Sequence, residues 1–340
     1  MQKILVIGPS WIGDMVMAQA LLKSLKNTNP EIIIDVAAPS WSFPLLQRMP
    51  EINCSIKLDF QHGQWSFNKR YQFAKELQQN NYTTAIVLPN TWKSALIPFF
   101  AKIPKRIGWL GEMRFGLLND IRYLKKLIYP TMVERYMALA YPPHYPLPTK
   151  SLTKFSDQFF TPKLTVDQKN LEQLKINYSI NTNLPILALC PGAAFGEAKC
   201  WPEKYYLELA TLQSKKNWQV WILGIKKDLQ LNEFSPNIIN FSGKVSLLDS
   251  IDLLSLADLV VCNDSGLMHI AASFNKKIIA TYGPTSPTFT PPLADYVKIV
   301  NKHLPCSPCF ARTCPLGHHK CMQQITVTEI SNYIEHLYNL

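Results

Sequence analysis

Residues 263–269 (Asn-Asp-Ser-Gly-Leu-Met-His) combine the side chains best suited to chemistry. They follow the apolar run 259–262, which predicts a buried parallel strand, and they lead into a predicted helix at 270–274. Ligands of open α/β sheets bind at such strand ends, and the positive end of a helix attracts phosphate. A carboxylate, a hydroxyl, a glycine N–H and an imidazole here suggest a sugar-phosphate site. The alternative is a structural turn in which Asp264 and Ser265 cap the helix and His269 is a core residue.

A second segment, residues 187–203, runs from a predicted strand into a loop of small residues and then into a helix. Lys199 stands just before that helix, and Pro202 occupies a position that the first helical turn tolerates. Backbone N–H groups of such a loop, together with a lysine charge, are suited to cradle a diphosphate. A surface lysine beside a structural turn is the alternative.

Asp14 ends the glycine-containing segment 8–14 (Gly-Pro-Ser-Trp-Ile-Gly-Asp), between a predicted strand at 4–7 and a predicted helix at 15–26. The residues alone favour a helix cap or a first-turn acid. The functional alternative is a general base that takes a proton from an attacking hydroxyl.

Residues 303–321 contain four cysteines and three histidines. Their spacing, C-x₂-C-x₄-C-x₆-C, differs from the double C-x₂-C pattern of zinc sites. A structural zinc is one hypothesis, and a reduced, proline-rich loop is the other; the four cysteines are Cys306, Cys309, Cys314 and Cys321.

Several motifs of cofactor and metal enzymes are missing from the sequence. Gly8 and Gly13 do not form G-x-G-x-x-G, and no P-loop motif occurs, which argues against NAD and ATP chemistry. No Asp-x-Asp is present to hold Mg²⁺ or Mn²⁺, so lysine and helix N-termini would have to neutralise a leaving diphosphate. We therefore predict no cofactor.

With 340 residues, of which 47% are hydrophobic, the chain can build two cores. Predicted strands form two βα series, separated by a proline-rich candidate linker at 141–162, and a short amphipathic helix ends the chain at 327–340. The strands are at 4–7, 32–36 and 85–88, and then at 186–190, 219–223, 259–262 and 277–281. No apolar stretch reaches the length of about 18 residues that spans a membrane, and no signal peptide is recognisable, so we expect a cytoplasmic protein with reduced thiols.

The positive charge is concentrated in the first half of the chain. Residues 1–160 have 19 Lys and Arg against 10 Asp and Glu, a net of +9, whereas residues 161–340 have 16 against 14, a net of +2. The basic residues between Lys93 and Arg135 suggest binding to nucleic acid, an anionic membrane surface or an acidic glycolipid. A merely solvated basic face is the alternative.

The segments 8–14, 191–202 and 263–269 together resemble the motifs of the bacterial ADP-heptose:lipopolysaccharide heptosyltransferase family. The resemblance extends over nearly the whole chain. Residues 306–321, 88–96 and 105–108 resemble the heptosyltransferase II branch of that family in particular.

This resemblance implies an α/β chain of the GT-B class, with two Rossmann-like, doubly wound parallel sheets facing a central cleft. The implied domains are an acceptor-binding domain (1–160), an ADP-heptose-binding domain (161–325) and a C-terminal helix (326–340) that crosses back to the first domain. The implied reaction is inverting transfer of L-glycero-D-manno-heptose from ADP-heptose to the first heptose of the Kdo-lipid A inner core. Addition of the first or a later core heptose is the nearest alternative, and a non-catalytic binder of anionic glycolipid is an alternative from another class.

The resemblance also implies roles for individual residues. Asp14 matches the general base, and Lys199 would hold the diphosphate. Donor-binding residues would be Gly192, Ala193, Ala194, Gly196, Lys199, Asp228, Asp264, Ser265, Gly266 and His269. Acceptor-binding residues would be Ser10, Trp11, Gly13, Asn90, Lys93, Lys105, Arg106 and Arg135. The implied partners are ADP-heptose, the heptosyl-Kdo-lipid A acceptor and the cytoplasmic leaflet of the inner membrane, to which the protein would be peripherally attached, and nucleic acid is not among them.

Overall fold

The computed structural model describes residues 2–58, 60, 66–145, 147, 160–225 and 235–340. These residues form two compact units, the first ending at Pro162 and the second running from Lys163 to Leu340. In the described ranges, no helix has both the length and the apolar character needed to cross a membrane.

The first unit is a parallel six-stranded sheet flanked by helices, with the strand order β3-β2-β1-β4-β5-β6. The order reverses between β1 and β4, which makes their carboxyl ends the switch point at which open α/β sheets bind ligands. Its elements are β1 (Lys3–Ile7), α1 (Ile12–Thr28), β2 (Ile33–Ala38), α2 (Phe43–Leu46), β3 (Cys54–Lys57), α3 (Phe67–Gln78), β4 (Thr84–Val87), α4 (Trp92–Phe100), β5 (Lys105–Trp109), β6 (Asp120–Arg122) and α5 (Met132–Met137).

The second unit repeats this topology, with the strand order β12-β11-β10-β7-β8-β9 and a switch point between β7 and β10. Helix α9 leads directly from the carboxyl end of β10. The elements are α6 (Gln168–Asn177), β7 (Ile186–Cys190), α7 (Glu203–Ser214), β8 (Gln219–Ile222), β9 (Ile238–Asn240), α8 (Leu247–Leu256), β10 (Leu259–Asn263), α9 (Gly266–Ser273), β11 (Lys277–Thr281), β12 (Val297–Val300), α10 (Lys320–Gln323) and α11 (Val327–Tyr338).

The prediction of two doubly wound parallel sheets is confirmed. The predicted strands 186–190 and 277–281 coincide with β7 and β11, because each is a short, largely apolar run that is buried in the sheet. The edge strands β3, β6, β9 and β12 and the partly polar β5 were not predicted, because they are short and incompletely buried. Helix α9 begins at Gly266 rather than at 270, so His269 lies within its first turn.

The C-terminal helix α11 lies in the second compact unit, and the expectation that it crosses back to the first domain stays a prediction. Its apolar face, Ile330, Ile334 and Leu337, is buried in the core that also contains Trp201. The Trp201 indole N–H donates to the Ile325 carbonyl at 2.8 Å, just before the helix. The helix packs on α7 and β11 because its apolar stripe completes the core on that face of the second sheet.

Candidate active-site residues

Asn263, at the end of β10, connects the elements around the second switch point. Its side-chain oxygen accepts hydrogen bonds from Trp201 N (3.0 Å), the Tyr206 hydroxyl (3.1 Å) and the Thr281 hydroxyl (3.0 Å). Its amide nitrogen donates to the Pro191 carbonyl, at the start of the loop after β7. The side chain is fully buried, so these bonds fix the strand end, the loop and helix α7 relative to one another. Asn263 opens the motif 263–269, but it was not among the predicted site residues.

Asp264 and Lys199, which are 65 positions apart in the chain, form an ion pair beside this junction. Lys199 Nζ lies 2.7 Å from Asp264 Oδ2, and the two side chains are 13% and 5% exposed. Lys199 also donates to the Asp264 main-chain oxygen (3.3 Å), and the Thr285 hydroxyl donates to Asp264 Oδ2 (2.6 Å). The carboxylate is therefore held by side chains from the loop and from beyond β11, and the helix-cap alternative does not describe it.

Ser265 is the N-cap residue of α9, yet its side chain makes no cap hydrogen bond within the part of the chain that is described. Its hydroxyl oxygen is buried and has no partner among the described residues. Buried hydroxyls are nearly always hydrogen-bonded, so an unsatisfied one at a helix N-terminus is a group that a bound anion could satisfy.

His269 lies in the first turn of α9 and is 5% exposed. Burial lowers the pKa of its imidazole to about 4; the charge of Lys199 lowers it further and that of Asp264 opposes the shift. The imidazole is therefore neutral at pH 7 and can orient a ligand through hydrogen bonds, but it adds no positive charge for phosphate.

The small-residue loop with Gly192, Ala193, Ala194 and Gly196 lies between β7 and Lys199. It packs against residues 303–321, which we call the cysteine-containing segment. A Cβ atom at Gly196 would lie 2.4 Å from the Arg312 carbonyl oxygen, so only glycine fits there. The same carbonyl accepts a hydrogen bond from Ala198 N at 3.0 Å.

Phe195, in this loop, is flanked by two cations. Lys199 Nζ lies 5.0 Å from the centre of its ring, and the Arg312 guanidinium lies 5.6 Å from it. Arg312 is a further candidate residue of this site, and no local sequence pattern distinguishes it from the other arginines.

Asp14 occupies the first turn of α1, close to the switch point of the first sheet. The N-cap residue of that helix is Trp11, so Asp14 is a first-turn acid and not the cap. It lies near the fully buried Tyr136 of α5, whose pKa is raised well above its ordinary value by burial and by the charge of Asp14. Gly13 is partly buried, whereas Ser10 and Trp11 are exposed beside this strand end.

Asn90, in the loop after β4, is positioned by Arg114. The Arg114 side chain is fully buried and donates to the Pro89 carbonyl (2.7 Å), the Asn90 side-chain oxygen (3.5 Å) and the Trp109 carbonyl. Burial lowers the pKa of this guanidinium to about 10. Arg114 is one of the basic residues between Lys93 and Arg135 that were predicted to bind an anionic partner, whereas in the structure it is an internal support of the strand ends.

Other residues of the predicted basic cluster also bond within the first unit. Arg106 donates to the Ile103 and Leu117 carbonyls, both at 2.7 Å, and Arg135 donates to the Tyr129 carbonyl at 3.0 Å. Lys105 lies 3.5 Å from Asp120, and the main-chain oxygen of Lys93 accepts from Arg70 at 3.5 Å. The positive charge is thus partly structural, and acceptor binding by these residues stays a prediction.

The four clustered cysteines line one small cavity together with His318 and His319. Each is a free thiol in the described residues. Backbone N–H groups, first that of His319, lower the pKa of the Cys314 thiol, whereas burial and the neighbouring thiols raise that of Cys321. Within the described ranges, no three His, Cys, Asp or Glu side chains are grouped so as to hold a metal ion, so the structure gives no support to the zinc hypothesis.

The predicted donor-binding residue Asp228 lies outside the described residues.

The chain is similar to known proteins over most of its length. Residues 70–320 match the model of glycosyltransferase family 9 (heptosyltransferase). The chain is 43% identical to lipopolysaccharide heptosyltransferase 2 of Salmonella typhimurium over 307 residues, which cover 88% of this chain and 87% of that protein. It is 44% identical to lipooligosaccharide heptosyltransferase 2 of Haemophilus ducreyi over 316 residues, which cover 88% of each.

Among solved structures, the chain is similar to that of Escherichia coli ADP-heptose lps heptosyltransferase II. The TM-score is 0.85 at 38% identity, and the match covers 99% of each chain. The fold is thus that of the predicted GT-B class of sugar-transferring enzymes. The chain belongs to glycosyltransferase family 9, the heptosyltransferases.

Proposed function

We propose that this enzyme transfers L-glycero-D-manno-heptose from ADP-heptose to the first heptose of the Kdo-lipid A inner core, with inversion at the anomeric carbon. The observation that carries the proposal is the buried Lys199–Asp264 pair just before α9, which would hold a sugar diphosphate. The similar Salmonella, Haemophilus and E. coli proteins are described as heptosyltransferases 2 or II, which supports the choice of donor and of acceptor class.

The donor diphosphate would bind at the N-terminus of α9. A lysine ammonium has three N–H donors, and Lys199 uses two contacts on Asp264, which leaves one for a phosphate oxygen. The Ser265 hydroxyl and the Gly266 N–H add donors at the positive end of the helix. These groups stabilise the negative charge that grows on the diphosphate as the sugar–phosphate bond breaks.

Asp264 and His269 would orient the heptose. Both hydrogen bonds from side chains to the Asp264 carboxylate fall on Oδ2, so Oδ1 can accept from a sugar hydroxyl. The neutral His269 imidazole can donate to or accept from a second polar group of the donor.

Asp14 would act as the general base. Its carboxylate takes the proton of the acceptor hydroxyl while the hydroxyl oxygen attacks the anomeric carbon and ADP leaves from the opposite face. One displacement inverts the anomeric configuration, through a transition state with oxocarbenium character. In this proposal no step requires a metal ion or a cofactor.

The acceptor is anchored in lipid, so we place the enzyme in the cytoplasm, at the inner leaflet of the inner membrane. The exposed lysines of the first unit, including Lys102, Lys125 and Lys126, would be attracted by that anionic surface. We assign no role to nucleic acid, because several of the clustered cations bond to carbonyls and carboxylates of the protein itself.

The test is product analysis with ADP-heptose and two acceptors, Kdo-lipid A with and without its first heptose. Mass spectrometry should show addition of one heptose to the mono-heptosylated acceptor alone, and NMR should show an anomeric configuration opposite to that of the donor. Preferential reaction with the acceptor that lacks heptose would make the protein the first heptosyltransferase. If neither acceptor led to release of ADP although the acceptors bound tightly, a glycolipid-binding protein would be favoured.

A further inference from the structure

Residues 123–128 (Tyr-Leu-Lys-Lys-Leu-Ile), which we call the apolar edge segment, directly follow the edge strand β6. Leu127 is 100% exposed, Tyr123 67% and Ile128 52%. Single exposed apolar residues are ordinary, but a contiguous group of them indicates an interaction site. The two lysines between them, Lys125 and Lys126, are also exposed, and the segment contains no acidic residue.

The base of the segment is firmly held. The Lys125 carbonyl accepts hydrogen bonds from Ile128 N and Tyr129 N, both at 3.0 Å, which closes a tight turn around Leu127. Tyr129 is buried against Trp109, with ring centres 5.7 Å apart, and its carbonyl accepts from Arg135. The fully exposed Leu127 is thus presented on an ordered turn, so insertion costs little conformational entropy.

The segment lies at the edge of the first sheet where the strands end. It leaves the carboxyl end of β6, and the loop that leaves the carboxyl end of the neighbouring β5 carries Met113, which is 85% exposed. Glu112 N, next to Met113, donates to the Asn90 carbonyl, so this loop touches the switch-point loop after β4. The exposed apolar residues and the candidate acceptor site therefore both lie at the carboxyl ends of the strands of the first sheet.

We propose that the apolar edge segment, together with Met113, inserts into the headgroup and acyl-chain boundary of an anionic lipid bilayer. The proposal rests on the proposed function in one respect, that the acceptor is held in a membrane. Lysines beside apolar side chains match such a surface, because the lysines meet anionic headgroups and the apolar side chains leave water. Insertion at this edge would bring the acceptor headgroup next to Asn90 and Asp14.

The first experiment measures co-sedimentation of the whole protein with vesicles of phosphatidylethanolamine and phosphatidylglycerol. The double variant Leu127→Ser/Ile128→Ser should bind about tenfold more weakly, because two apolar side chains no longer leave water. Ile176→Ser is the matched control, since Ile176 is 73% exposed but lies on α6 of the second unit. Lys125→Gln/Lys126→Gln should remove the preference for anionic over phosphatidylcholine vesicles.

A second readout detects insertion itself. Leu127→Trp should add, beyond the signal of the eight native tryptophans in the parent, a blue-shifted emission on vesicle binding that lipids with brominated acyl chains quench, whereas Ile176→Trp should add neither change. Equal binding by parent and Leu127→Ser/Ile128→Ser, or a Leu127→Trp side chain that is not quenched, would overturn the proposal. So would a dimer of the parent in solution that the serine variant dissociates, because the segment would then be a contact between two copies of the chain.

Kinetics separate this inference from the proposed function. The serine variant should keep the parental kcat/KM on a deacylated, water-soluble acceptor, and its KM for the vesicle-borne acceptor should rise several-fold. Vesicle insertion by a protein that transfers no heptose would refute the proposed function and leave the insertion intact. Transfer that is equally efficient for parent and variant on vesicles would refute the insertion alone.

Discussion

At the scale of single residues, the proposed donor site depends on one buried ion pair, and uncharged side chains hydrogen-bond to its carboxylate and to the loop that carries its lysine. Asp264 accepts from Lys199 and Thr285, and Asn263, one position earlier, binds the loop that carries Lys199. Such a pair costs desolvation free energy, and the further hydrogen bonds from Lys199 to the Asp264 carbonyl and from Thr285 to the carboxylate offset part of that cost. The arrangement positions an ammonium at the N-terminus of α9, where a diphosphate would bind.

The first prediction concerns Asp14. Asp14→Asn should lower kcat by about 10² to 10⁴, because the amide cannot take the acceptor proton, and it should leave the affinity for ADP within a few-fold. The measurement is steady-state transfer together with ADP titration. Glu203→Gln removes a first-turn acid from α7 and controls for the loss of a favourable helix-dipole interaction of about 0.3–1 kcal/mol. If the Asp14→Asn enzyme kept more than half of the parental kcat, Asp14 would have only a structural role.

The second prediction concerns Lys199. Lys199→Ala should raise KM for ADP-heptose and lower kcat, each through loss of a donor to the diphosphate, with a combined loss of about 10² or more. The substitution also leaves Asp264 without its cation, so the melting temperature should fall as well.

The double variant Lys199→Ala/Asp264→Asn separates these two effects. It should recover part of the melting temperature while the kinetic defect persists, because the amide needs no counter-ion. Parental KM and kcat in Lys199→Ala would rule out contact with the diphosphate.

At the scale of elements, the donor loop after β7 is shaped by a segment more than a hundred residues later in the chain. The Arg312 carbonyl approaches Gly196 closely and accepts from Ala198 N, so the cysteine-containing segment forms one wall of the loop. In the first unit, Arg114 plays a similar role for the loop after β4, where a Cβ at Gly111 would lie 2.1 Å from the Asn90 carbonyl oxygen.

The third prediction tests this wall. Gly196→Ala should displace the loop, because its Cβ cannot stand 2.4 Å from a carbonyl oxygen, and should lower kcat/KM for ADP-heptose by about tenfold or more. Arg312→Ala keeps the carbonyl and removes only the guanidinium beside Phe195, so it reports the side chain's own contribution. Equal kcat/KM in Gly196→Ala and parent would show that the loop moves aside without cost.

At the scale of the whole molecule, the two units repeat one strand order, and each places its candidate residues at its own switch point. The repetition explains how one chain presents two ligand sites without a second fold. The unequal charge of the two halves, +9 against +2, is consistent with the proposed donor site in the second unit and the proposed lipid-borne acceptor at the first.

The fourth prediction concerns metals. The enzyme should be active without added divalent cations and should lose little activity in EDTA, because lysine and helix N-termini are proposed to neutralise the negative charge of the leaving diphosphate. Metal analysis of the purified protein should be run alongside, since slow loss of an ion from the four clustered thiols would differ from rapid inhibition. Rapid inhibition that Mg²⁺ reverses would contradict the assigned mechanism.

Much of this protein could be predicted from its sequence, because the informative signals are local. Buried parallel strands are continuous apolar runs, so β7 and β11 were predicted residue for residue. Strand-to-helix turns concentrate their functional groups within a few positions, so Asp14, Lys199 and Asp264 could be selected before any contact was known. The short, half-buried edge strands have no such signal and were not predicted.

Only the tertiary structure decided which distant residues meet. The Lys199–Asp264 pair, the hydrogen bonds of Asn263 and the wall formed by Arg312 all depend on the order in which the strands lie in the second sheet. The burial of Arg114 and the packing of α11 in the second unit likewise depend on tertiary contacts. These contacts place a charged side chain in the interior and an apolar helix face against one particular core. Local sequence determines which groups stand at each strand end, because propensity and periodicity act over a few residues; strand order and packing determine which of them share a site, because those contacts join residues far apart in the chain.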